Sequence, residues 1–357
     1  MGKNYKKKIN LFFCINGLQK GGAEKQLNYI SNYLCSKYKI HIFTLDKNKV
    51  SYKFNPKITI HKCNSVFFIK FLLKIFEYKP KIIFFMLPKS YFYFGTLAIF
   101  FPKIKKILLR RSLNYYHKNL FFKYYEIFLH RFINLFICNS ISSKKNISKT
   151  EFVKNNKVIV INNYIEFLPQ SIKSINKENN FKILCIANFY KYKGHFLLIK
   201  SLSYIKKLNW KVYFYGEERN LTKQEVINYS IKNGIRNKVS FVKNLNSSFK
   251  FPYFKLGILL SKTESFPNAV LEYLSLNLPV IASAVGDIKY LVNEENGKII
   301  KSRNPEIISK LIKKILFNKN LKTKSINSGK KIKYYTSKLN TLEKYNKVIK
   351  KVICAEF

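Results

Sequence analysis

Aspartate is close to absent from this chain. Of 357 residues only Asp46 and Asp287 are Asp, beside 16 Glu. No Asp-x-Asp exists to hold a divalent ion against a diphosphate. The five histidines (41, 61, 117, 130 and 195) include no His-Glu-x-x-His spacing, so no zinc cage is legible and no metal is expected. The six cysteines (14, 35, 63, 138, 185 and 354) contain no Cys-x-x-Cys. Cys14, Cys138 and Cys185 sit in apolar, strand-like runs and read as small buried hydrophobes of a reducing compartment. Long hydrophobic runs are missing too. The strongest, Ile82–Pro102, is interrupted by Pro88, Lys89 and Gly95, whereas a helix that crosses a bilayer needs about 20 largely apolar residues. It reads instead as a buried strand, a loop and a packed helix. The apolar run near the N-terminus, about six residues, is too short for a signal-peptide core.

Arginine is scarce as well, 6 against 61 Lys, yet the net charge is +49. Lys, Asn, Ile, Phe and Tyr are abundant together, which marks a drift in residue usage rather than a local patch. Residues 66–131 carry 13 Lys and Arg against two Glu, a net charge close to the roughly +9 that an average stretch of that length carries here. Diffuse charge of this kind attracts an anionic membrane surface or an anionic substrate, with an effect that fades in salt. A dedicated nucleic-acid binder would instead cluster Arg and interleave exposed aromatics. Here the aromatics sit mostly in core-patterned runs, so no specific nucleic acid is expected.

What is present is an alternation of strand and helix. Residues 9–15 form a continuous apolar run, as a fully buried parallel strand does. A loop with Gly17, Gly21 and Gly22 follows, and a helix from Ala23 presents Ala23, Leu27, Ile30 and Leu34 on one face. Further strands are predicted at 39–45, 57–62, 81–86, 105–110 and 133–138, with helices near 66–77, 90–101 and 117–131. After a polar linker at 169–180 the pattern restarts. A buried strand is predicted at 182–187, a helix from His195, then strands at 210–215, 238–242, 256–260 and 279–283. The last approximately 50 residues read as helical and basic. The expected class is α/β, with two Rossmann-like domains whose parallel sheets face each other across a cleft. The N-terminal, acceptor-side domain covers 1–168 and the C-terminal, donor-side domain 181–325. The helices of 326–357 are expected to pack back on the first domain. Ligands of such sheets bind beyond the carboxyl ends of the strands.

The most informative segment runs from Ser261 to Ser283: strand, short loop, helix, strand. Glu264 stands in the loop. Pro267 suits the first helical position, where a missing N–H costs nothing. Backbone N–H groups near Phe266, Pro267, Asn268 and Ala269 suit an anion, helped by the helix dipole. Glu272 follows about one turn later, so that a phosphate at the helix start would be flanked by two carboxylates able to accept sugar hydroxyls.

Glu-Ser-Phe-Pro-Asn-Ala-Val-Leu-Glu (264–272), followed by Leu-Pro-Val-Ile-Ala-Ser (278–283), resembles the Glu-x7-Glu signature of retaining glycosyltransferase family 4, which has the GT-B fold. The resemblance implies that Glu264 contacts the donor sugar and Glu272 the ribose. Gly21-Gly22-Ala23-Glu24 is similar to the family's glycine-rich first loop, where backbone approaches a donor phosphate or an acceptor. Ile161-Asn162-Asn163-Tyr164-Ile165 resembles its interdomain turn, keeping Asn163 but not the usual proline and glycine. Lys193-Gly194-His195 resembles the opening of the donor domain's first helix, which implies that Lys193 binds the diphosphate. A lysine there would neutralise a leaving group without a metal. His195 itself reads as a cap or packing residue. The arginine that the family places before this lysine is missing: those positions are Asn188 and Tyr190. Lys191 is the candidate substitute, though a lysine lacks the guanidinium fork. Arg110 and Arg111 close a first-domain strand, a pair suited to an anionic acceptor or the donor phosphate, and Arg111 joins Glu264 and Lys193 as a candidate catalytic residue.

The family likeness implies a metal-independent hexosyltransferase without cofactor. It would use a UDP- or GDP-linked sugar donor and a lipid-linked or polysaccharide acceptor in bacterial surface glycan synthesis (O-antigen, capsule or lipopolysaccharide). It would be cytoplasmic and peripheral on the inner face of the plasma membrane. A GT-B-like sugar-nucleotide epimerase is the nearest enzymatic alternative and would want more carboxylates and His than this chain has. A basic nucleic-acid-binding protein and a scaffold that has lost catalysis are the non-enzymatic ones.

Overall fold

The computed structural model describes residues 8–46, 50–63, 66–113, 119–166, 180–242, 254–318, 320–321 and 337–354. Most of the expected linker, 169–179, and the whole of 322–336 lie outside them. The chain divides into two compact units, Met1–Tyr164 with Lys338–Phe357, and Ile165–Ser337.

In the first unit β1 (Asn10–Ile15), α1 (Gly22–Leu34), β2 (Lys39–Thr44), β3 (Thr59–Lys62) and α2 (Phe67–Tyr78) come first. β4 (Ile82–Met86), α3 (Pro88–Ala98), β5 (Lys105–Arg110), α4 (Leu120–His130), β6 (Leu135–Cys138), α5 (Ile141–Thr150) and β7 (Val158–Val160) follow. The strands form one sheet in the order β3-β2-β1-β4-β5-β6-β7, parallel at every pairing. Alternation of side chains along each strand serves both faces. Leu11, Phe13, Ile15, Ile40 and Phe84 point to one core. Phe12, Cys14, Phe43, Ile83 and Phe85 point to the other, under α2, α3, α4 and α5. Two buried faces explain why these strands read as continuous apolar runs.

The second unit repeats the plan. It contains β8 (Phe181–Ile186), α6 (His195–Ser203), β9 (Trp210–Tyr215), α7 (Lys223–Lys232), β10 (Val239–Val242) and β11 (Leu256–Leu259). After them come α8 (Asn268–Ser275), β12 (Val280–Ser283), α9 (Ile288–Leu291), β13 (Gly297–Ile300) and α10 (Pro305–Leu316). Its sheet runs β10-β9-β8-β11-β12-β13, again parallel. In both sheets the strand order reverses beside the first strand, the arrangement of a doubly wound nucleotide-binding fold. The last helix, α11 (Lys338–Cys354), belongs to the first unit. Its Leu342, Tyr345, Ile349 and Val352 complete the core under α1, and Tyr38 Oη donates to Asn346 at 2.9 Å.

Segment 82–102 is β4, a sharp turn and α3, and among the described residues no helix is long and apolar enough to cross a membrane. Five elements lack a sequence-derived counterpart, among them the four-residue α9. β7 and β13 are only three and four residues long, and α5 and α7 have polar sequences that bury few residues.

Candidate active site

All strands of the second sheet are parallel, so their following loops leave from one edge, the carboxyl ends. The reversal point lies between β8 and β11, which pair only at Ile183–Leu256 and Leu184–Gly257. Beyond that register Tyr273 of α8 stands between the strands: its hydroxyl accepts from Ile186 N at 2.6 Å and donates to Ile258 O at 2.9 Å. The ring fits because residue 257 is glycine; a Cβ there would meet Tyr273 Cγ at 2.4 Å. The phenol therefore satisfies two backbone groups that the parting strands would leave unpaired, and it opens the sheet edge from which the two key loops depart.

The loop after β8 makes a short turn at Lys191–Lys193 and enters α6 through Gly194, whose φ of 82° favours glycine. A Cβ on Gly194 would strike Leu260 O at 2.2 Å, so the turn lies directly against the loop after β11. Lys262 N donates to Tyr192 O at 2.8 Å, tying the two loops together. The result is an ion pair across the reversal point: Lys193 Nζ to Glu264 Oε1, 2.5 Å, with side chains 17% and 12% exposed. Ser261 Oγ donates to the same carboxylate oxygen at 2.7 Å. Burial pulls the Lys193 ammonium down, but the charge of Glu264, Tyr192 and the hydrogen bond to Glu264 together raise it above the usual lysine range. It is a fixed, partly desolvated cation.

Phe266, Pro267 and Asn268 lead into α8. Asn268 is the first helical residue and Pro267, with extended backbone, precedes it as the cap. The proline expected at the first helical position thus stands one residue earlier, where its fixed φ also suits the helix entry. Glu272 lies in α8, 8% exposed, beside Tyr273. Glu264, Lys193 and Glu272 are therefore carried by neighbouring pieces of one unit.

Asn188, expected among the donor-binding residues, is held in the loop after β8. Its Oδ1 accepts from Glu217 N at 3.0 Å and braces the loop after β8 against that after β9. Lys191 is exposed, and its backbone N–H donates to Asn220 Oδ1. His195 is buried, stacks on Phe189 at 4.6 Å and is lowered by burial to about 4, a packing residue.

The remaining expected residues lie in the first unit. Gly21 is extended and caps α1. Its N–H donates to Tyr52 Oη at 3.0 Å, and Tyr52 Oη donates back to Gly21 O at 2.9 Å. The Glu24 carboxylate lies where a Cβ of Gly21 would stand. That flexible carboxylate stands beside the loop at which a phosphate or an acceptor was expected. Arg111 donates through Nη1 to Asn163 Oδ1 at 3.0 Å and through Nη2 to Tyr345 Oη at 2.5 Å. It ties the end of the first domain's chain to α11. Arg110 is buried, pairing with Glu151 and with Glu126 at 3.0 Å, while His130 Nε2 lies 2.7 Å from Glu151. The arginine pair expected to serve an anionic ligand is thus committed within its own unit. Glu126, His130 and Glu151 are also the one group with metal-ligand spacing among the described residues. Arg110 and His130 lie against these carboxylates.

Ser261, Tyr273, Gly257 and Arg303, which donates to Leu260 O at 3.3 Å, were not singled out in the sequence. Ser261, three residues before Glu264, carried the only local signal; the others act through partners at least 15 positions away.

Residues 166–332 match the family model Glycosyl transferases group 1. The chain is 26% identical to a protein described as an uncharacterized glycosyltransferase of Haemophilus influenzae, over 88% of this chain and 92% of that one. It is 24% identical to the Escherichia coli O-antigen biosynthesis glycosyltransferase WbnH, a match that spans about half of each chain. Among solved structures, Anabaena HepE in complex with UDP and glucose superposes with a TM-score of 0.81 over 96% of this chain and all of that one, at 16% identity. The fold is GT-B, and the match to the glycosyl transferases group 1 model falls in its second unit.

Proposed function

We propose that this chain transfers a sugar from a nucleotide-sugar donor to a lipid-linked or polysaccharide acceptor in bacterial surface glycan synthesis, without a metal and with retention of anomeric configuration. The observation that carries the reading is the Lys193–Glu264 pair at the reversal point of the second sheet, where such sheets hold their ligands. Partial similarity to an O-antigen biosynthesis glycosyltransferase and the UDP complex of HepE support the donor and acceptor classes.

In this reading the donor diphosphate lies at the start of α8 and takes over Lys193, whose charge stabilises the departing nucleoside diphosphate. Glu264, released from Lys193 and still held by Ser261, accepts a hydroxyl of the sugar. Glu272 accepts the ribose hydroxyls. The bond from the anomeric carbon to the diphosphate oxygen breaks while the acceptor oxygen bonds on the same face. The acceptor proton passes to that diphosphate oxygen, so no protein nucleophile takes part. The chain's high positive charge draws it to an anionic membrane surface on the cytoplasmic side, where a lipid-linked acceptor is presented.

Calorimetry of UDP and GDP binding to two folded variants tests the division of roles. Glu272→Ala should weaken binding roughly ten- to hundredfold, since a charge-assisted hydrogen bond contributes about 1.5–3 kcal/mol. Glu264→Ala should bind the diphosphate nearly as the wild type does but turn over slowly. Equal weakening in both variants would overturn the assignment. Activity should also survive excess chelator; loss that manganese or magnesium restores would remove the metal-independent mechanism.

A further inference from the structure

Exposed apolar side chains are not spread evenly over this molecule. Of the 21 large hydrophobic residues exposed among the described residues, 13 lie between Val66 and Phe132, fewer than a fifth of the chain. They belong to three consecutive helices that cover one face of the first sheet. On α2, Phe71 and Ile75 face the core, while Ile69, Leu73 and Phe76, at helical spacing, are 60–66% exposed. On α4, Leu129 faces the core, and Phe121, Tyr124 and Phe128 stand outside. The segment around α3 touches both neighbours: Phe101, just beyond it, meets Phe76 at 5.6 Å, and Phe92 on it meets Phe122 at 5.3 Å and Tyr125 at 4.9 Å. Burial of one stripe per helix completes the fold; the second stripe, open to water, does nothing for the unit by itself. Exposed aromatic surface on this scale marks an interaction site.

The charge of the region selects the partner. Among its described residues the one exposed carboxylate is Glu77, which Lys74 holds at 2.5 Å. Lys103 and Arg131 are exposed, and Lys123 lies over the ring of Tyr124 at 5.8 Å. A second copy of the chain would bring like charge against like in a protein of net charge +49. Nucleic acid would match the lysines but not the aliphatic Ile69 and Leu73. An anionic bilayer surface matches both: aromatic rings settle at headgroup depth and lysines meet lipid phosphates. We infer that the outer faces of α2 and α4, joined by α3, form the surface by which this protein docks on an anionic lipid bilayer. The inference deepens the peripheral-membrane part of the proposed function and replaces diffuse attraction by a defined face.

The probe is the full chain with vesicles of phosphatidylglycerol, against phosphatidylcholine alone. Trp210, the chain's one tryptophan, is buried in the second unit, so a tryptophan placed outside reports its own surroundings. Phe121→Trp and Leu73→Trp should each show a blue-shifted emission with phosphatidylglycerol vesicles, and Ile231→Trp should not. In sedimentation, Phe76→Ser with Phe121→Ser should lower partitioning at least about tenfold, as expected for two buried aromatic side chains. Both sites are exposed, so the melting temperature should stay unchanged. Wild-type binding should persist in part at high salt. An equal shift at Ile231→Trp, full retention by the double variant, or complete release by salt would overturn the docking face. So would displacement of vesicles by an oligonucleotide that shifts Phe121→Trp itself. The vesicles contain neither donor nor acceptor, so the result stands apart from any failure to detect sugar transfer.

Discussion

The two units place different chemistry at the same point of the same sheet. In the first, the reversal point between β1 and β4 is closed by neutral groups: Asn16 Oδ1 accepts from Ser90 N at 2.8 Å, and Ser90 Oγ turns back on the carbonyls of Cys14 and Leu87. The N-terminal turn of α3 is thereby used by the chain itself. In the second, the corresponding loops carry Lys193 and Glu264. Opposite charges held close without full burial are a poor stabilising device, but they are what a nucleotide sugar can take over. One switch point is closed by neutral groups of the chain itself; the other holds a charged pair, which the proposed function assigns to the donor.

Breaking the charged point should have the largest effect. Lys193→Ala should lower kcat about 10²- to 10³-fold, the usual loss for one preorganised stabilising group, measured as initial rates at saturating donor. Asn16→Ala should leave kcat within a factor of about two if the comparison holds, since it removes only a hydrogen bond worth about 1 kcal/mol.

Acid should separate the units next. His41 and His61 are lowered to about 4, chiefly by burial, then His41 by His61 and both by nearby lysines, and their rings meet at 3.2 Å between Nδ1 and Nε2. The second unit has only His195 in this state. Unfolded histidines take up protons near pH 6.5, whereas these remain neutral until about pH 4. The unfolded state therefore binds more protons in that window, and stability is lost as pH falls through it. The first unit should open earlier on acidification, seen as hydrogen exchange in β2 and β3 before Trp210 emission shifts. The reverse order would refute it.

A smaller effect is expected at the strand split. Gly257→Ala should destabilise the second unit by about 1–3 kcal/mol through overpacking on Tyr273, read in the thermal transition. Tyr273→Phe should cost about 1–2 kcal/mol and also lower kcat, because the parted strands position the Lys193 and Glu264 loops. An unchanged kcat would reduce Tyr273 to a packing role.

How much of this could be seen beforehand follows from range. The strands of both sheets were legible because double burial writes a continuous apolar run, and the segment from Ser261 to Glu272 was legible because its parts are adjacent. β7 and β13 were not, being too short to carry a period. Arg110 could not be assigned from its neighbours: Glu151, its partner, is 41 residues away. In α4 Leu120, Phe121 and Phe122 are consecutive. A run of that kind wraps around a helix, and only packing reveals which side remains outside.

The return of α11 to the first unit has a consequence for biosynthesis. The second unit is a continuous stretch, Ile165–Ser337, whereas the first is completed by Lys338–Phe357. As the ribosome delivers the chain from its N-terminus, the second unit can finish folding while the core under α1 still lacks Tyr345 and Ile349. During that interval the larger part of the first unit must wait half-built, with apolar surface uncovered, for the helix that is made after its neighbour.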